Sequence, residues 1–292
     1  MKRSNEGIQN SSSEFHSKRI KATKDFHSIN EILKYIYFYI DKSLLIKEFL
    51  EDNSLNGICI TRPSNYGKTT NLIMLREFFK MNYDNEENQN KFIFENLNIA
   101  KEVNEHGQRY IDQYLGKYPV IYLDFYERII GNSYDETINN FKSFIKELYI
   151  DYDENIIENL DDNAKEIFEN YRKGNIDEAN LMNSISFLCY CLKKSMNQEI
   201  ILLIDNYDLL ILNAFNTEFY DKFYSFYKNV FMKIFIGNKK HHYLFKTFIT
   251  GKIYTSFLKE FPLKYYSIKD DKYNEYYSVT SFELKNLLSE LK

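Results

Sequence analysis

The sequence predicts an α/β fold built on a covered, mostly parallel sheet. Short apolar runs alternate along the chain with longer stretches in which apolar residues recur at helical spacing. The strand candidates are residues 57–61, 118–125, 200–205 and 245–251. The run at 200–205 is the most apolar in the chain, which is typical of a strand buried on both faces. Strands that alternate with helices form a parallel sheet with helices packed against it.

The other elements follow from periodicity in chain order. A helix is predicted over 71–81, because Leu72, Leu75 and Phe78 fall on one face. Residues 135–198 are predicted to be mainly helical, with the acidic part at 151–178 forming a solvated face or a loop. The remaining candidates are an extended piece at 37–40, an aromatic-rich helix at 219–236 and a further strand at 276–280.

Composition limits the classes of protein to which this chain can belong. It has 292 residues, of which 44% are hydrophobic and 27% charged, enough to bury a core in one large domain or two small ones. The formal net charge of -4 argues against a surface that binds nucleic acid over its whole area. No apolar run approaches the ~20 residues that span a bilayer, and the N-terminus lacks the apolar core of a secretion signal.

Three cysteines, Cys59, Cys189 and Cys191, are too few and too scattered for a disulfide framework. Cys189 and Cys191 lie in an apolar run with no His or Cys pair nearby, so core packing is favoured over metal binding. Together with the composition, this pattern predicts an intracellular protein, cytoplasmic or nuclear, with no membrane partner.

The first 24 residues are predicted to form a disordered basic tail. Residues 1–24 hold six Lys or Arg residues against two Glu, with a run of serines. Two basic clusters between Lys2 and Lys21 could be the halves of a bipartite nuclear signal, and the alternative is a plain solvated tail. Residues 25–292 are predicted to form one domain with a helical insertion at about 135–198.

The segment from Arg62 to Thr70 has the order of residues that binds phosphate. It lies between an apolar strand and an amphipathic helix, where free backbone N–H groups and the helix dipole face an anion. Gly67 lets the backbone approach closely, Lys68 would reach the terminal phosphates of a nucleotide, and the Thr69 hydroxyl would bind Mg²⁺. Such a phosphate-binding loop (P-loop) usually begins with glycine five residues before Gly67, where this chain has Arg62. The alternative is an ordinary turn between a strand and a helix.

A second signal is the apolar run that ends in Asp205 and is followed by Asn206. In P-loop enzymes such a strand lies beside the P-loop strand, and its carboxylate orients the hydration shell of the Mg²⁺. Many ATPases place a glutamate next to this aspartate, whereas Asn206 can orient water but cannot accept its proton at neutral pH. Thr250, near the end of its strand candidate, is predicted to sense the terminal phosphate. The predicted catalytic residues are therefore Asn206 and Thr250, and the predicted metal ligands are Thr69 and Asp205.

These elements together resemble the AAA-ATPase-like family, P-loop ATPase domains that often precede a PD-(D/E)XK nuclease-like domain. Five segments carry the resemblance, which runs from about Ser28 to the C-terminus. They are Tyr39-Ile40-Asp41-Lys42-Ser43, similar to "YVDKT"; Thr61-Arg62-Pro63 with Tyr66-Gly67-Lys68-Thr69, similar to "RPRRFGKS"; Tyr118-Pro119-Val120-Ile121 with Leu123-Asp124-Phe125; Leu203-Ile204-Asp205-Asn206-Tyr207-Asp208, similar to "LIDEYD"; and Phe248-Ile249-Thr250-Gly251, similar to "FLTG". The chain departs from the family at Ser64 and Asn65, which replace two Arg, and at Asn206, which replaces Glu.

The resemblance implies a P-loop NTPase three-layer sandwich with a sheet in the order 5-1-4-3-2 and the P-loop after the first strand. It implies ATP and Mg²⁺ as ligands, and it makes Arg62 a feature of the family. The residues predicted to bind the nucleotide are Arg62, Asn65, Tyr66, Gly67, Lys68, Thr69 and Thr70.

Two functions of different classes follow from these residues. The first is ATP binding by a P-loop protein that is a weak or degenerate ATPase, with hydrolysis left open by Asn206. The second is a catalytically inactive P-loop scaffold that acts through protein or nucleic-acid contacts, motivated by the replaced Glu and Arg residues and by the basic tail. A protein partner or a second copy of the chain could supply an arginine. A small-molecule kinase is a third option, without a recognisable motif for binding an acceptor.

Overall fold

The computed structural model describes residues 40–54, 56–81, 90–125, 129–152 and 154–290. The basic tail predicted at 1–24 and most of the extended piece predicted at 37–40 lie outside the described residues. Within them the helices are α1 (Leu44–Glu51), α2 (Lys68–Phe79), α3 (Lys91–Glu95), α4 (Tyr110–Tyr114), α5 (Tyr134–Ile150), α6 (Glu154–Glu158), α7 (Asp162–Lys173), α8 (Glu178–Met196), α9 (Leu209–Ala214), α10 (Tyr220–His241) and α11 (Ser281–Glu290). The strands are β1 (Gly57–Thr61), β2 (Val120–Asp124), β3 (Ile200–Asp205), β4 (Leu244–Gly251) and β5 (Lys264–Tyr266).

The five strands form one parallel sheet in the order β2-β3-β4-β1-β5. Read from the β5 edge, this order is 5-1-4-3-2. Thr61 of β1 lies beside Gly251 of β4, and Asp124 of β2 lies beside Asp205 of β3. Because all strands run the same way, their carboxyl ends meet at one edge of the sheet. The predicted α/β class with a parallel sheet is confirmed.

Helices cover both faces of the sheet, because successive residues of each strand pack into different cores. Ile58 and Ile60 of β1 and Leu203 of β3 pack with α1 and α2. Cys59 and Leu202, which point the other way, pack with α5, α8 and α10. Each large aliphatic side chain removed from water in this way stabilises the fold by ~1.5–3 kcal/mol. The sheet is therefore the middle layer of three.

The acidic region at 151–178, predicted to be a solvated face or loop, contains α6 and α7 instead. Asp161 caps α7, because its carboxylate accepts a hydrogen bond from the backbone N–H of Ala164 at 2.9 Å. Ala164, Phe168 and Tyr171 are separated by four and three positions and form a buried face. The acids between them masked this face in the sequence, so the prediction was wrong for most of the region.

The fifth strand lies at Lys264–Tyr266, and the strand predicted at 276–280 does not form. Tyr276 ends a short 3₁₀ helix, and Ser278 has φ 67°, in the left-handed region that interrupts an extended run. The backbone N–H of Ser278 donates to the carbonyl of Tyr66 at 3.1 Å. These residues therefore pack against the loop after β1.

The three cysteines are buried and form no disulfide, as predicted. In the part of the chain that the structure describes, no helix is both long enough and apolar enough to cross a membrane.

Gly57 allows β1 to lie against β4. Its φ is 138°, and a Cβ placed on it would be 2.0 Å from the backbone oxygen of Thr247. We expect Gly57→Ala to lower the free energy of unfolding in urea by about 2–5 kcal/mol, since the clash is with strand backbone that cannot move freely. Gly107→Ala is the control, because its φ is 75° and no atom lies within 4 Å of the added Cβ. It should cost only the backbone strain of about 1–2 kcal/mol, and equal losses in both variants would contradict the explanation.

Candidate functional site

The loop between β1 and α2 turns at two residues with left-handed backbone. Asn65 has φ 65° and Gly67 has φ 80°, which asparagine tolerates and glycine adopts without steric cost. No atom lies within 4 Å of the position of a Cβ on Gly67, so its backbone angle requires glycine and no neighbour does. α2 begins at Lys68, three residues before the predicted start, and no described side chain caps it. Its first N–H groups lack intrahelical partners and favour an anion.

Lys68 reaches back across this loop. Its Nζ donates to the carbonyl oxygens of Arg62 at 3.0 Å and of Pro63 at 2.8 Å, and the residue is 7% exposed. Burial lowers the pKa of Lys68, and the negative charges of Asp205 and Asp208 oppose that effect. The ammonium group is thus held by neutral carbonyl groups that a phosphate oxygen, a stronger acceptor, could replace.

Asp205, the last residue of β3, is fully buried and joins three elements. Its Oδ2 accepts a hydrogen bond from the Thr69 hydroxyl at 2.5 Å, and its Oδ1 accepts from the Thr250 hydroxyl and from the backbone N–H of Asn206 at 2.9 Å. Burial raises the pKa of this carboxyl, and it outweighs the hydrogen bonds and the charge of Lys68. The residues predicted to bind the metal and to sense the terminal phosphate therefore lie together.

Asn206 links this carboxylate to a second one. It has φ 54°, and its side-chain N–H donates to Oδ1 of Asp124 at 2.9 Å. Asp124 is the half-buried last residue of β2 and lies in register with Asp205. Sequence reasoning assigned no role to Asp124, although its place at the end of a strand candidate was a signal, because parallel strands end at one edge.

The two residues after this amide fix the turn that follows β4. Oδ2 of Asp208 accepts from the backbone N–H groups of Lys252 at 2.8 Å and Ile253 at 2.7 Å. The Tyr207 hydroxyl donates to the carbonyl of Ile253 at 2.6 Å. Asp208 is therefore engaged with backbone groups and supports the position of the β4 terminus.

A family profile described as predicted AAA-ATPase matches residues 22–259. The matched part covers most of the chain and includes the loop after β1, Asp205 and Thr250. The chain belongs to the AAA-ATPase-like family. The resemblance carried by the five sequence segments is confirmed. No curated protein and no solved structure matches the chain.

In this AAA-ATPase-like chain, Arg62 turns toward the C-terminal part of the protein. It is 1% exposed, and its guanidinium donates to the backbone carbonyl of Tyr266 at 3.3 Å and to the side-chain oxygen of Asn274 at 2.8 Å. The same group lies 5.0 Å from the centre of the Tyr277 ring, within the range of a cation–π contact. The side chain predicted to bind nucleotide therefore has a structural role, in which it holds β5 and the following residues against the loop.

The segment at 274–278 covers the loop from this side. Besides the Tyr66 contact, the side-chain N–H of Asn71 donates to the carbonyl of Tyr276 at 2.9 Å. The partners are 205 positions apart, and the segment lies beyond the part of the chain that the family profile matches. Sequence reasoning missed this contact because nothing local signals it. Of the other residues predicted to bind nucleotide, Asn65 is exposed, and Tyr66 and Thr70 are half-buried.

Arg62→Lys should destabilise the fold. A lysine ammonium cannot reproduce the fixed fork of the guanidinium, and a buried acceptor that loses its charged donor costs ~1–3 kcal/mol. We expect the free energy of unfolding in urea to fall by about 2 kcal/mol. Arg109→Lys, at an exposed pair with Asp112, is the control and should change it by less than ~0.5 kcal/mol. Equal effects of the two substitutions would contradict the structural role.

Asp205→Asn should stabilise the protein at pH 7 in the absence of nucleotide and Mg²⁺. Because the pKa of Asp205 is raised in the fold, the protonated carboxyl favours the folded state, and that contribution is lost as pH rises from about 3.9 through the raised pKa. The asparagine stays neutral and should raise the free energy of unfolding at pH 7 by about 1 kcal/mol. Melting temperatures of both proteins at pH 4 and pH 7 check this. A variant that melts below the unaltered protein at pH 7 would show the opposite sign.

Proposed function

We propose that this protein binds Mg-ATP at the loop after β1 and hydrolyses it slowly. The observation that carries the proposal is the 2.5 Å hydrogen bond between the Thr69 hydroxyl and the buried carboxylate of Asp205. It brings the first turn of α2 to the end of β3, beside the ammonium group of Lys68. A hydroxyl, a carboxylate and an ammonium group at one point suit a phosphate chain that carries a divalent cation.

The oxygen atoms at this point suit Mg²⁺. That ion keeps several waters and is usually bound by one or two protein oxygen groups together with substrate phosphates. Among the described residues, no group of three or more His, Cys, Asp and Glu side chains is arranged to hold a metal ion. Thr69 would bind the metal directly and Asp205 through its hydration shell, and the bound metal would neutralise charge on the phosphates.

The start of α2 and Lys68 would bind the phosphates. Helix N–H groups and the left-handed turn at Gly67 suit the inner phosphates, and Lys68 suits the outer ones. In this exchange Lys68 would replace two neutral acceptors by charged ones, which form stronger hydrogen bonds. The family description as a predicted AAA-ATPase supports the same class of ligand.

Slow hydrolysis is supported by the residue that follows Asp205. Asn206 can orient a water molecule, but its amide cannot accept the proton of that water. Thr250, whose hydroxyl contacts Asp205, is in place to sense the terminal phosphate.

Lys68→Ala should weaken Mg-ATP binding measured by isothermal titration calorimetry. Losing hydrogen bonds between a charged donor and phosphate costs ~1.5–3 kcal/mol, which corresponds to a Kd about 10- to 100-fold higher. Lys80→Ala is the matched control, because Lys80 is exposed just after the other end of α2 and should leave the Kd unchanged. Equal affinity in Lys68→Ala and the unaltered protein, or no binding by the unaltered protein, would contradict the proposal.

A further inference from the structure

The pair formed by Asp124 and Asn206 gives this site a carboxylate at an unusual position. The family resemblance places a glutamate where this chain has Asn206. The Asn206 amide instead binds a carboxylate of the neighbouring strand, with 2.9 Å between Nδ2 and Oδ1 of Asp124. A carboxylate is therefore present beside position 206, one strand away from where it was expected.

The other described carboxylates at the ends of β2 and β3 have different tasks. Asp205 is fully buried, and its oxygens accept hydrogen bonds from two hydroxyl groups and a backbone N–H. Asp208 is 1% exposed and accepts two backbone N–H groups. Asp124 is half-buried, so that water can reach this end of the strand.

The direction of the hydrogen bond also assigns a task to Asn206. Its Nδ2 donates to Asp124, which fixes the orientation of the amide. The opposite atom of the amide, Oδ1, can then only accept a hydrogen bond, as from a water molecule. The pair thus combines a group that can orient water with a group that can take a proton from it.

We infer that Asp124 is the general base of ATP hydrolysis in this protein and that Asn206 is its positioning residue. The inference rests on the proposed function. In the step, the water oxygen forms a bond to the γ-phosphorus, and the bond from that phosphorus to the bridging oxygen breaks. The electron pair of the broken bond stays on the ADP oxygen, and the water proton passes to the Asp124 carboxylate. The products are ADP and inorganic phosphate.

The first test is Asp124→Asn, which keeps the shape of the side chain and removes the base. Single-turnover hydrolysis should fall ~10²–10⁴-fold, the usual effect of losing a general base. The Kd of Mg-ATP by calorimetry should change less than about threefold, because the phosphates and metal are held by other residues. Binding of ADP with aluminium fluoride, an analogue that holds water in line, should weaken. Asp135→Asn, at an exposed position in α5, is the control and should leave all three quantities unchanged.

The second test moves the carboxylate back to position 206. The double substitution Asp124→Asn with Asn206→Glu should recover at least tenfold of the rate lost in Asp124→Asn, which a merely structural role of Asp124 would not allow. Asn206→Ala keeps the base but releases its orientation, so its rate should fall less than that of Asp124→Asn. This variant also tests the inference should Asp124→Asn not fold.

The outcomes separate this inference from the proposed function. An Asp124→Asn variant that binds ATP and hydrolyses it at the unaltered rate would overturn the inference and leave ATP binding in place. The same holds for a double variant without recovery, for an Asn206→Ala variant at the unaltered rate, and for an unaltered protein that binds ATP without releasing phosphate. An unaltered protein that does not bind ATP would instead overturn the proposed function.

Discussion

Asp205 is a buried carboxylate, and a buried charge must be satisfied by its neighbours or it costs several kcal/mol. In this protein the neighbours are the hydroxyl groups of Thr69 at the start of α2 and Thr250 near the end of β4. β3 lies beside β4 in the sheet, and β1, which leads into the loop, lies on the other side of β4. The requirement of one acid therefore fixes how the first turn of α2 stands relative to two strand ends. The loop that holds Lys68 follows from this arrangement.

The same acid shows a conflict between stability and function. Two hydroxyl groups and one backbone N–H compensate burial only in part, since the pKa of Asp205 remains raised. Lys68 has the complementary problem, because burial lowers its pKa although two acids lie near it. Opposed shifts of this kind are common where a site is arranged for a charged ligand. A divalent cation and a phosphate chain would supply the counter-charges that the protein itself does not provide.

How far the sequence predicted this molecule depended on the range of each signal. β1, β3 and β4 were predictable because strands buried on both faces appear as continuous apolar runs. The short strand β5, with an exposed Lys264 and three residues, carries no such pattern and forms by pairing with β1. The cap at Asp161 turned acids that looked like a solvated loop into the start of a helix. In the site, Thr69, Asp205 and Thr250 were found from local motifs. The bond between Asp124 and Asn206, 82 positions apart, required the register of two strands.

Arg62 explains how a phosphate-binding loop can lack its usual first glycine. A side chain at this position would crowd the inside of the loop if it pointed there, but the guanidinium leaves the loop and finds its acceptors on Tyr266 and Asn274. Those acceptors belong to a segment beyond the matched part of the chain, and that segment also bonds to Tyr66 and Asn71. The replacement of glycine is thus tied to the presence of the C-terminal segment. Because the bonds on both sides of Gly67 reach the same segment, the loop cannot change its backbone without moving or breaking them.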